Sequence, residues 1–154
     1  MYRKICRGFT LIELIASITI IAILTAVALP HLTVATPLAE RGYADSIAAS
    51  LRQSRAVALA SGCAVRFTIT AAGYNAFQHA AGANNHCAAA GPWSTPVRRG
   101  NGQDLLEVRP AGVTLAANQQ FVFAADGSVA SGAVTINVGP QTITIDDSGL
   151  VHGP

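Results

Sequence analysis

The chain begins with a short basic stretch that is followed by a long apolar run. Three basic residues fall within residues 1–8, and no charged residue occurs from Leu14 to Leu29. From Phe9 to Leu29 the run has 21 residues, which matches the roughly 20 that a helix needs to cross a bilayer. Basic residues before such a run predict a cytoplasmic N-terminus and export of the part beyond the run. We therefore expect one membrane-spanning helix and an exported domain after it.

Glu13 lies near the start of that run, where a carboxylate needs a partner. An uncompensated charge at this kind of position costs about 2.5–3.5 kcal/mol on insertion scales. No lysine or arginine occurs later in the run, so we expect the partner to come from another chain. A conventional secretory signal peptide is the alternative, because Ala26 and Ala28 would suit a cut near the far end. The length of the run and its acid argue against that alternative.

The motif Gly8-Phe9-Thr10-Leu11-Ile12-Glu13 resembles the processing motif of type IV prepilins and pseudopilins. The resemblance implies that prepilin peptidase, a membrane aspartyl peptidase, cuts between Gly8 and Phe9 and methylates the new N-terminal Phe9. It also implies that Glu13 neutralises the N-terminal amine of a neighbouring subunit during filament assembly. In a medium of low dielectric constant such a pair is favoured over a lone charge.

Pro30 closes the apolar run and predicts a helix break there. The type IV pilins that the N-terminus resembles commonly have a proline that kinks or melts the helix at this point. Residues 31–36 are expected to form a weak link, and a second helix is predicted to end at Ser61, with Thr36 as its cap and Pro37 at its first position. Apolar residues at helical spacing predict one buried face on it, made of Ala44, Ile47, Ala48, Leu51, Ala58 and Leu59.

From Cys63 onward the apolar period changes to two, which is typical of strands. Residues 65–69 alternate apolar and polar side chains, and Asp126-Gly127 and Gly139-Pro140 are turn signals between apolar segments. The stretch from 80 to 103 is expected to be a long loop. Further strands are predicted at residues 74–78, 105–109, 113–115, 121–123, 134–138, 142–145 and 150–151.

These patterns predict an α+β fold: a long N-terminal helix, transmembrane in its first half, followed by an antiparallel, sandwich-like β head domain. The predicted segments are a cleaved leader (residues 1–8), a membrane and filament-core helix (9–30), a linker with an amphipathic helix (31–62) and a periplasmic head (63–154). The layout resembles the GspH/FimT group of minor pilins and pseudopilins. Its C-terminal pattern is matched by Phe121-x-Phe123-x-x-Asp126-Gly127 and Ile143-x-Ile145-x-x-x-Ser148-Gly149.

That resemblance implies a subunit of a type IV filament machine, anchored in the bacterial inner membrane with its head in the periplasm. The implied partners are prepilin peptidase, other pilins and pseudopilins, and an inner-membrane platform protein with its assembly ATPase. Such a subunit would act in filament initiation or at the tip. Whether the machine is a type II secretion pseudopilus or a type IV pilus is left open by the sequence.

Cys63 and Cys87 form an even pair downstream of the predicted membrane helix, whereas Cys6 falls in the leader. Because exported domains meet an oxidising compartment, we predict a Cys63–Cys87 disulfide. The alternative is two unrelated buried thiols. No CxxC or HxxxH accompanies them, so their spacing fits no zinc pattern.

A second hypothesis is a FimT-like minor pilin that binds DNA during uptake. Once residues 1–8 are removed, seven arginines face eight acids, which is not the strongly basic balance of a dedicated nucleic-acid binder. Some FimT-like relatives use basic residues near the C-terminus, where this chain has no arginine. Arg98-Arg99 is the only basic doublet after the predicted leader, and Arg41, Arg52 and Arg55 are expected to be mostly solvated. The third hypothesis is an exported domain behind an ordinary signal anchor.

No motif for catalysis or for a cofactor is present, so we expect no enzyme, no cofactor and no metal site. There is no nucleophile elbow and no Walker loop. Asp146-Asp147 has the residues of a calcium ligand pair, but two acids in a turn are more often solvated turn formers. The four histidines are scattered and belong to no metal-spaced set: His31, His79, His86 and His152.

Overall fold

The computed structural model describes residues 10–32, 35–82, 86–115 and 118–154. Two helices come first, α1 (Leu11–Leu32) and α2 (Ala35–Ser61). Eight strands come after them: β1 (Val65–Thr70), β2 (Gly73–His79), β3 (Trp93–Pro96), β4 (Leu106–Val108), β5 (Gln119–Phe123), β6 (Val134–Val138), β7 (Gln141–Ile145) and β8 (Val151–His152). The predicted α+β order of helix followed by antiparallel strands is confirmed.

Contacts divide the chain into two compact units, Met1–Ala35 and Thr36–Pro154. The first unit contains α1, and the second contains nearly all of α2 and every strand. Across the described residues no helix has both the length and the apolarity needed to span a membrane, so the predicted span is not confirmed.

Both helix boundaries near Pro30 differ from the prediction. Helix α1 continues two residues past Pro30 and ends at Leu32, so the break is not at the proline itself. A proline in a last turn removes one hydrogen bond, but its fixed φ is compatible with helix. Helix α2 begins at Ala35, which places Thr36 and Pro37 inside the first turn rather than at the cap. Proline is tolerated there because the first backbone N–H groups have no partner within a helix.

The strands form two antiparallel sheets. The first has the order β3-β2-β1-β5, with β4 also paired to β2, and the second has the order β6-β7-β8. In β1 the side chains alternate between buried and half-buried as predicted, because Val65, Phe67 and Ile69 enter the core. One hydrophobic core contains side chains of α2 and of both sheets. Helix α2 is therefore part of the head and not a separate linker.

The structure corrects two strand predictions. Strand β3 lies inside the predicted 80–103 loop and pairs with β2, with a register shift at Gln78/His79. Its stabilisation comes from this pairing at a sheet edge, where Pro96 is tolerated, and not from a local pattern. The predicted strand at 113–115 is only an isolated bridge between Leu115 and Val138.

The buried face of α2 is close to the predicted one. All the predicted apolar residues are buried except Leu59, which is 49% exposed, while Ser54 is fully buried. At about 100° per residue, Leu59 points roughly 90° from the centre of the buried face, and Ser54 only about 50°. The hydroxyl of Ser54 donates to the Ser50 carbonyl at 2.8 Å, which satisfies it within the core.

The turn at Gly139 lies against the carboxylate of Glu40. Glu40 is only 9% exposed, and its Oε1 accepts a hydrogen bond of 3.3 Å from the Thr114 N–H. Gly139 has a φ of 53°, and a Cβ added there would collide with the Glu40 carboxylate. Glycine is required at this position because of the positive φ and because there is no room for a Cβ atom.

Candidate functional site

The first turn of α1 carries the predicted assembly residue, Glu13. The Thr10 hydroxyl accepts a hydrogen bond from the Glu13 N–H at 3.3 Å, as an N-cap residue does. No ion pair involving Glu13 occurs within the described part of the chain. Gly8 and Phe9, the predicted cleavage residues, lie outside the described residues.

Between Leu11 and Thr25, where its side chains are described, helix α1 exposes large apolar side chains all round. The hydroxyls of Ser17, Thr19 and Thr25 bond back to carbonyls of the helix, and Glu13 is the one charged side chain in this stretch. The exposed large side chains range from 43% to 76% exposure and are Leu11, Ile12, Leu14, Ile15, Ile18, Ile20, Ile21, Ile23 and Leu24. A helix that is apolar on every side is stable only when lipid or other protein covers it.

The predicted disulfide between Cys63 and Cys87 is present, with Cα atoms 6.0 Å apart. It ties the segment after β2 to the loop that comes after α2. His86 lies against the two sulfurs: its Nδ1 is 3.5 Å from Cys87 Sγ and its Nε2 is 3.8 Å from Cys63 Sγ. His86, which belongs to no metal-spaced set in the sequence, is brought to Cys63 by the fold and not by a local spacing.

An open cavity of about 340 Å³ adjoins the disulfide, and its lining includes Ser61, Gln78 and His79. The Ser61 hydroxyl accepts from Gln78 Nε2 at 2.8 Å, and the Ser61 carbonyl is 3.1 Å from His86 Nε2. Residues from α2, from β2 and from the 80–92 segment thus meet at this cavity.

The basic doublet Arg98-Arg99 is split by the fold. Arg99 Nη2 contacts Glu107 Oε2 at 2.9 Å and is 3.3 Å from the Tyr74 hydroxyl. Arg98 is largely exposed and lies 3.9 Å from Asp104. Because Arg99 is neutralised and about two-thirds covered, the doublet is not a free cationic pair.

Glu107 is the centre of a polar network between β4 and α2. Its Oε2 accepts hydrogen bonds from Ser46 at 2.7 Å, Tyr74 at 2.8 Å and Arg99 at 2.9 Å. Burial by itself raises the pKa of the Glu107 carboxyl, but these three donors outweigh it and leave the pKa below its usual value of 4.5. Burial also raises the pKa of Tyr74.

We expect this network to make the free energy of unfolding of the head decrease at acidic pH. A carboxyl whose pKa is lowered by folding contributes stability above its unfolded pKa, and this contribution is lost as the pH falls through the folded value. Urea unfolding followed by Trp93 fluorescence should show a loss of stability below pH 4.5 that is smaller in Glu107→Gln. Asp104→Asn, which alters an exposed pair, is the control. Equal acid sensitivity of Glu107→Gln and the wild type would contradict this role.

Two arginines of α2 lie beside the C-terminal segment. Arg52 Nη2 donates to the Val151 carbonyl at 3.3 Å, and Arg55 donates to the carbonyls of Gly127 at 3.2 Å and Ser148 at 3.1 Å. Neither has an acidic partner among the described residues. The expectation that Arg55 is mostly solvated is wrong, because it is half-buried and bonded to two turns.

The Asp146-Asp147 pair lies at a turn, as predicted. The Asp146 carboxylate accepts from the Ser148 hydroxyl at 2.6 Å and from the Leu150 N–H at 2.9 Å. The hydrogen bond from Ser148 is the main cause that holds the pKa of Asp146 below its usual value. Asp146 Oδ1 is thus used within the turn itself, whereas Oδ2 lies 3.6 Å from His152 Nε2.

Comparison with known proteins agrees with this arrangement. A model described as the prokaryotic N-terminal methylation motif matches residues 3–29, and one described as type II transport protein GspH matches residues 43–149. A helix that is apolar all round, followed by this head, defines a type IV pilin-like protein. Since the second match covers more than half of the chain, the chain belongs to the GspH family of minor pseudopilins. No curated protein and no solved structure matches it.

Proposed function

We propose that the chain is a minor pseudopilin of a type II secretion machine. It is made as a precursor, cut between Gly8 and Phe9 by prepilin peptidase and methylated at Phe9. It then initiates or caps a periplasmic filament that serves protein secretion. The observation that carries the proposal is the pairing of a methylation motif at residues 3–29 with a GspH match at residues 43–149 in one chain.

The exposed apolar surface of α1 supports a role in which the helix is transferred from the lipid of the membrane to the protein interior of the filament. Before assembly, the Phe9–Leu29 segment is held in the inner membrane, with the head in the periplasm. During assembly it moves into the filament, where the helices of neighbouring subunits cover it. Lipid tails are as apolar as leucine, so burial of this helix by protein instead of lipid gains little. Polar contacts must therefore contribute much of the free-energy difference that favours the helix in the filament over the helix in the membrane.

Glu13 is the side chain that supplies such a contact in this proposal. Cleavage after Gly8 creates a new amine on Phe9, and a neighbouring subunit can bring this amine to the Glu13 carboxylate. The pair replaces a lone charge in an apolar medium, which is unfavourable. Because the contact joins different surfaces of successive subunits, it repeats without closing and builds a helix. An inner-membrane platform protein and its ATPase drive the extraction, and the chain itself performs no catalysis.

DNA binding is the second candidate, and one observation favours it. Arg52 and Arg55 lie beside the C-terminal segment without an acidic partner in the described part of the chain. The neutralised Arg99 argues against the doublet as the contact. If DNA is bound, Arg52→Ala with Arg55→Ala should weaken it strongly, whereas Arg98→Ala should weaken it little.

The experiment for the main proposal is deletion of the coding sequence in the host, followed by parallel assays of secretion, surface pili and DNA uptake. We expect secreted substrates to accumulate in the periplasm while pili and DNA uptake persist, and the full chain to restore secretion. Loss of pili alone would identify a pilus subunit, and loss of uptake alone would favour the DNA role. Normal behaviour in all three assays would contradict a role in a filament machine.

A further inference from the structure

We propose that the dithiol form of the head binds a thiophilic divalent metal ion, of the Zn²⁺ class, through Cys63 Sγ, Cys87 Sγ and His86 Nδ1. One ligand atom from each of these residues lies within 4.8 Å of the others, and the two sulfurs are bonded to each other in the disulfide. Thiolate and imidazole are the ligands that zinc prefers in proteins. The same two sulfurs serve either the disulfide or the metal, so the two states exclude each other.

The hydrogen bonding of His86 fixes which nitrogen is free to bind. Its Nε2 is 3.1 Å from the Ser61 carbonyl oxygen, which can only accept, so Nε2 carries the proton and donates it. The lone pair is therefore on Nδ1, the nitrogen that faces Cys87 Sγ. A histidine that donates its other N–H to a backbone carbonyl is the usual arrangement around a bound metal.

The distances also fit a metal site. Zn–S and Zn–N bonds at a tetrahedral angle separate the two ligand atoms by about 3.5 Å. Cys87 Sγ and His86 Nδ1 are 3.5 Å apart before any metal is present. The two sulfurs, which are bonded to each other in the disulfide, must separate to about 3.8 Å, and Cys63 Sγ, which is 3.8 Å from Nε2, must approach Nδ1. Three protein ligands leave a fourth position for water, and the cavity that these three residues line is open.

Formation of the site requires a reductant and releases protons. A trialkylphosphine donates two electrons to the disulfide and becomes a phosphine oxide with the oxygen of one water molecule, which leaves two thiols. Binding of one metal ion then displaces two protons from these thiols, because only thiolates bind the metal. Binding is therefore expected to weaken as the pH falls, and the oxidised chain is expected not to bind.

The test uses the full chain in detergent micelles, reduced with a trialkylphosphine and titrated with Co²⁺ and then Zn²⁺. We expect one ion per chain, thiolate-to-cobalt charge-transfer absorption and bands of tetrahedral Co²⁺ that Zn²⁺ abolishes. His86→Ala should lower the affinity by more than the roughly 10–100-fold that changes outside the ligand shell cause. His79→Ala, at the same cavity but bonded to the Gly91 carbonyl, should leave the affinity unchanged.

Several outcomes would overturn the proposal. Reduced wild-type chain that binds Co²⁺ no better than Cys63→Ser/Cys87→Ser contradicts it, and so does an unchanged affinity in His86→Ala. If reduction unfolds the head, far-UV circular dichroism of the reduced chain with and without Zn²⁺ still tests the proposal. If Zn²⁺ restores the native spectrum of the reduced wild type but not of His86→Ala, the site is supported. If Zn²⁺ restores neither, the proposal is wrong.

Discussion

Replacement of Glu13 by alanine is expected to abolish incorporation of the chain into filaments while cleavage at Gly8–Phe9 continues. The carboxylate stands in an apolar helix, where a lone charge costs about 2.5–3.5 kcal/mol. Loss of an ion pair worth this free energy would reduce the ratio of filament-bound to membrane-bound chain on the order of a hundredfold. The measurement is the fraction of processed chain that is recovered with sheared or purified filaments.

Two further variants separate charge from shape. Glu13→Gln keeps the shape and removes the charge, so it should fail as Glu13→Ala does. Ser17→Ala, one turn along α1, removes a hydroxyl whose one hydrogen bond among the described residues is to the Glu13 carbonyl, and this variant should incorporate normally. Normal incorporation of Glu13→Gln would show that the ion pair is not needed for assembly.

Replacement of Phe67 by alanine is expected to destabilise the head by about 3–5 kcal/mol, since it leaves a cavity in the core. Phe67 is fully buried, and its ring stacks on Tyr74 at 5.4 Å and Phe121 at 5.8 Å. Because small domains are stable by only about 5–15 kcal/mol, this is a large fraction of the total. Urea unfolding can be followed by the fluorescence of Trp93, the single tryptophan of the chain.

The matched control is Phe77→Ala. Phe77 lies on β2 beside β1, opposite Arg66, but its side chain is only half-buried. Because Phe77 is half-buried, we expect a loss of about 1 kcal/mol, which is near the centre of the distribution for point mutations. Equal losses for Phe67→Ala and Phe77→Ala would contradict the assignment of the inward face of β1.

Much of the head could be predicted from the sequence because its signals are local. The alternation in β1, the Asp126-Gly127 and Gly139-Pro140 turns and the buried stripe of α2 each depend on residues within one segment. The disulfide could be predicted from the even cysteine pair and the expected export.

The rest depends on contacts between distant segments. Strand β3 forms because it can pair with the edge of β2. The residues Trp93–Pro96 have no alternating pattern from which a strand could be predicted. His86 is next to Cys87 in the sequence, but it reaches Cys63 and Ser61 only because the chain folds back from β2 to the end of α2. Arg55 is half-buried because it donates hydrogen bonds to the carbonyls of two turns that lie far along the chain. Leu59 lies at the edge of the helical stripe of α2, and packing against the rest of the head decides that it is exposed while Ser54 is buried.

The intact mass of the chain purified from membranes of cells that contain prepilin peptidase shows whether it is processed as a filament subunit. We expect a mass without residues 1–8 and with one added methyl group on Phe9. A peptidase-deficient strain should yield the full precursor. A precursor that stays uncut where the peptidase is active, or a cut near Ala28, would contradict the assignment of this chain to a filament.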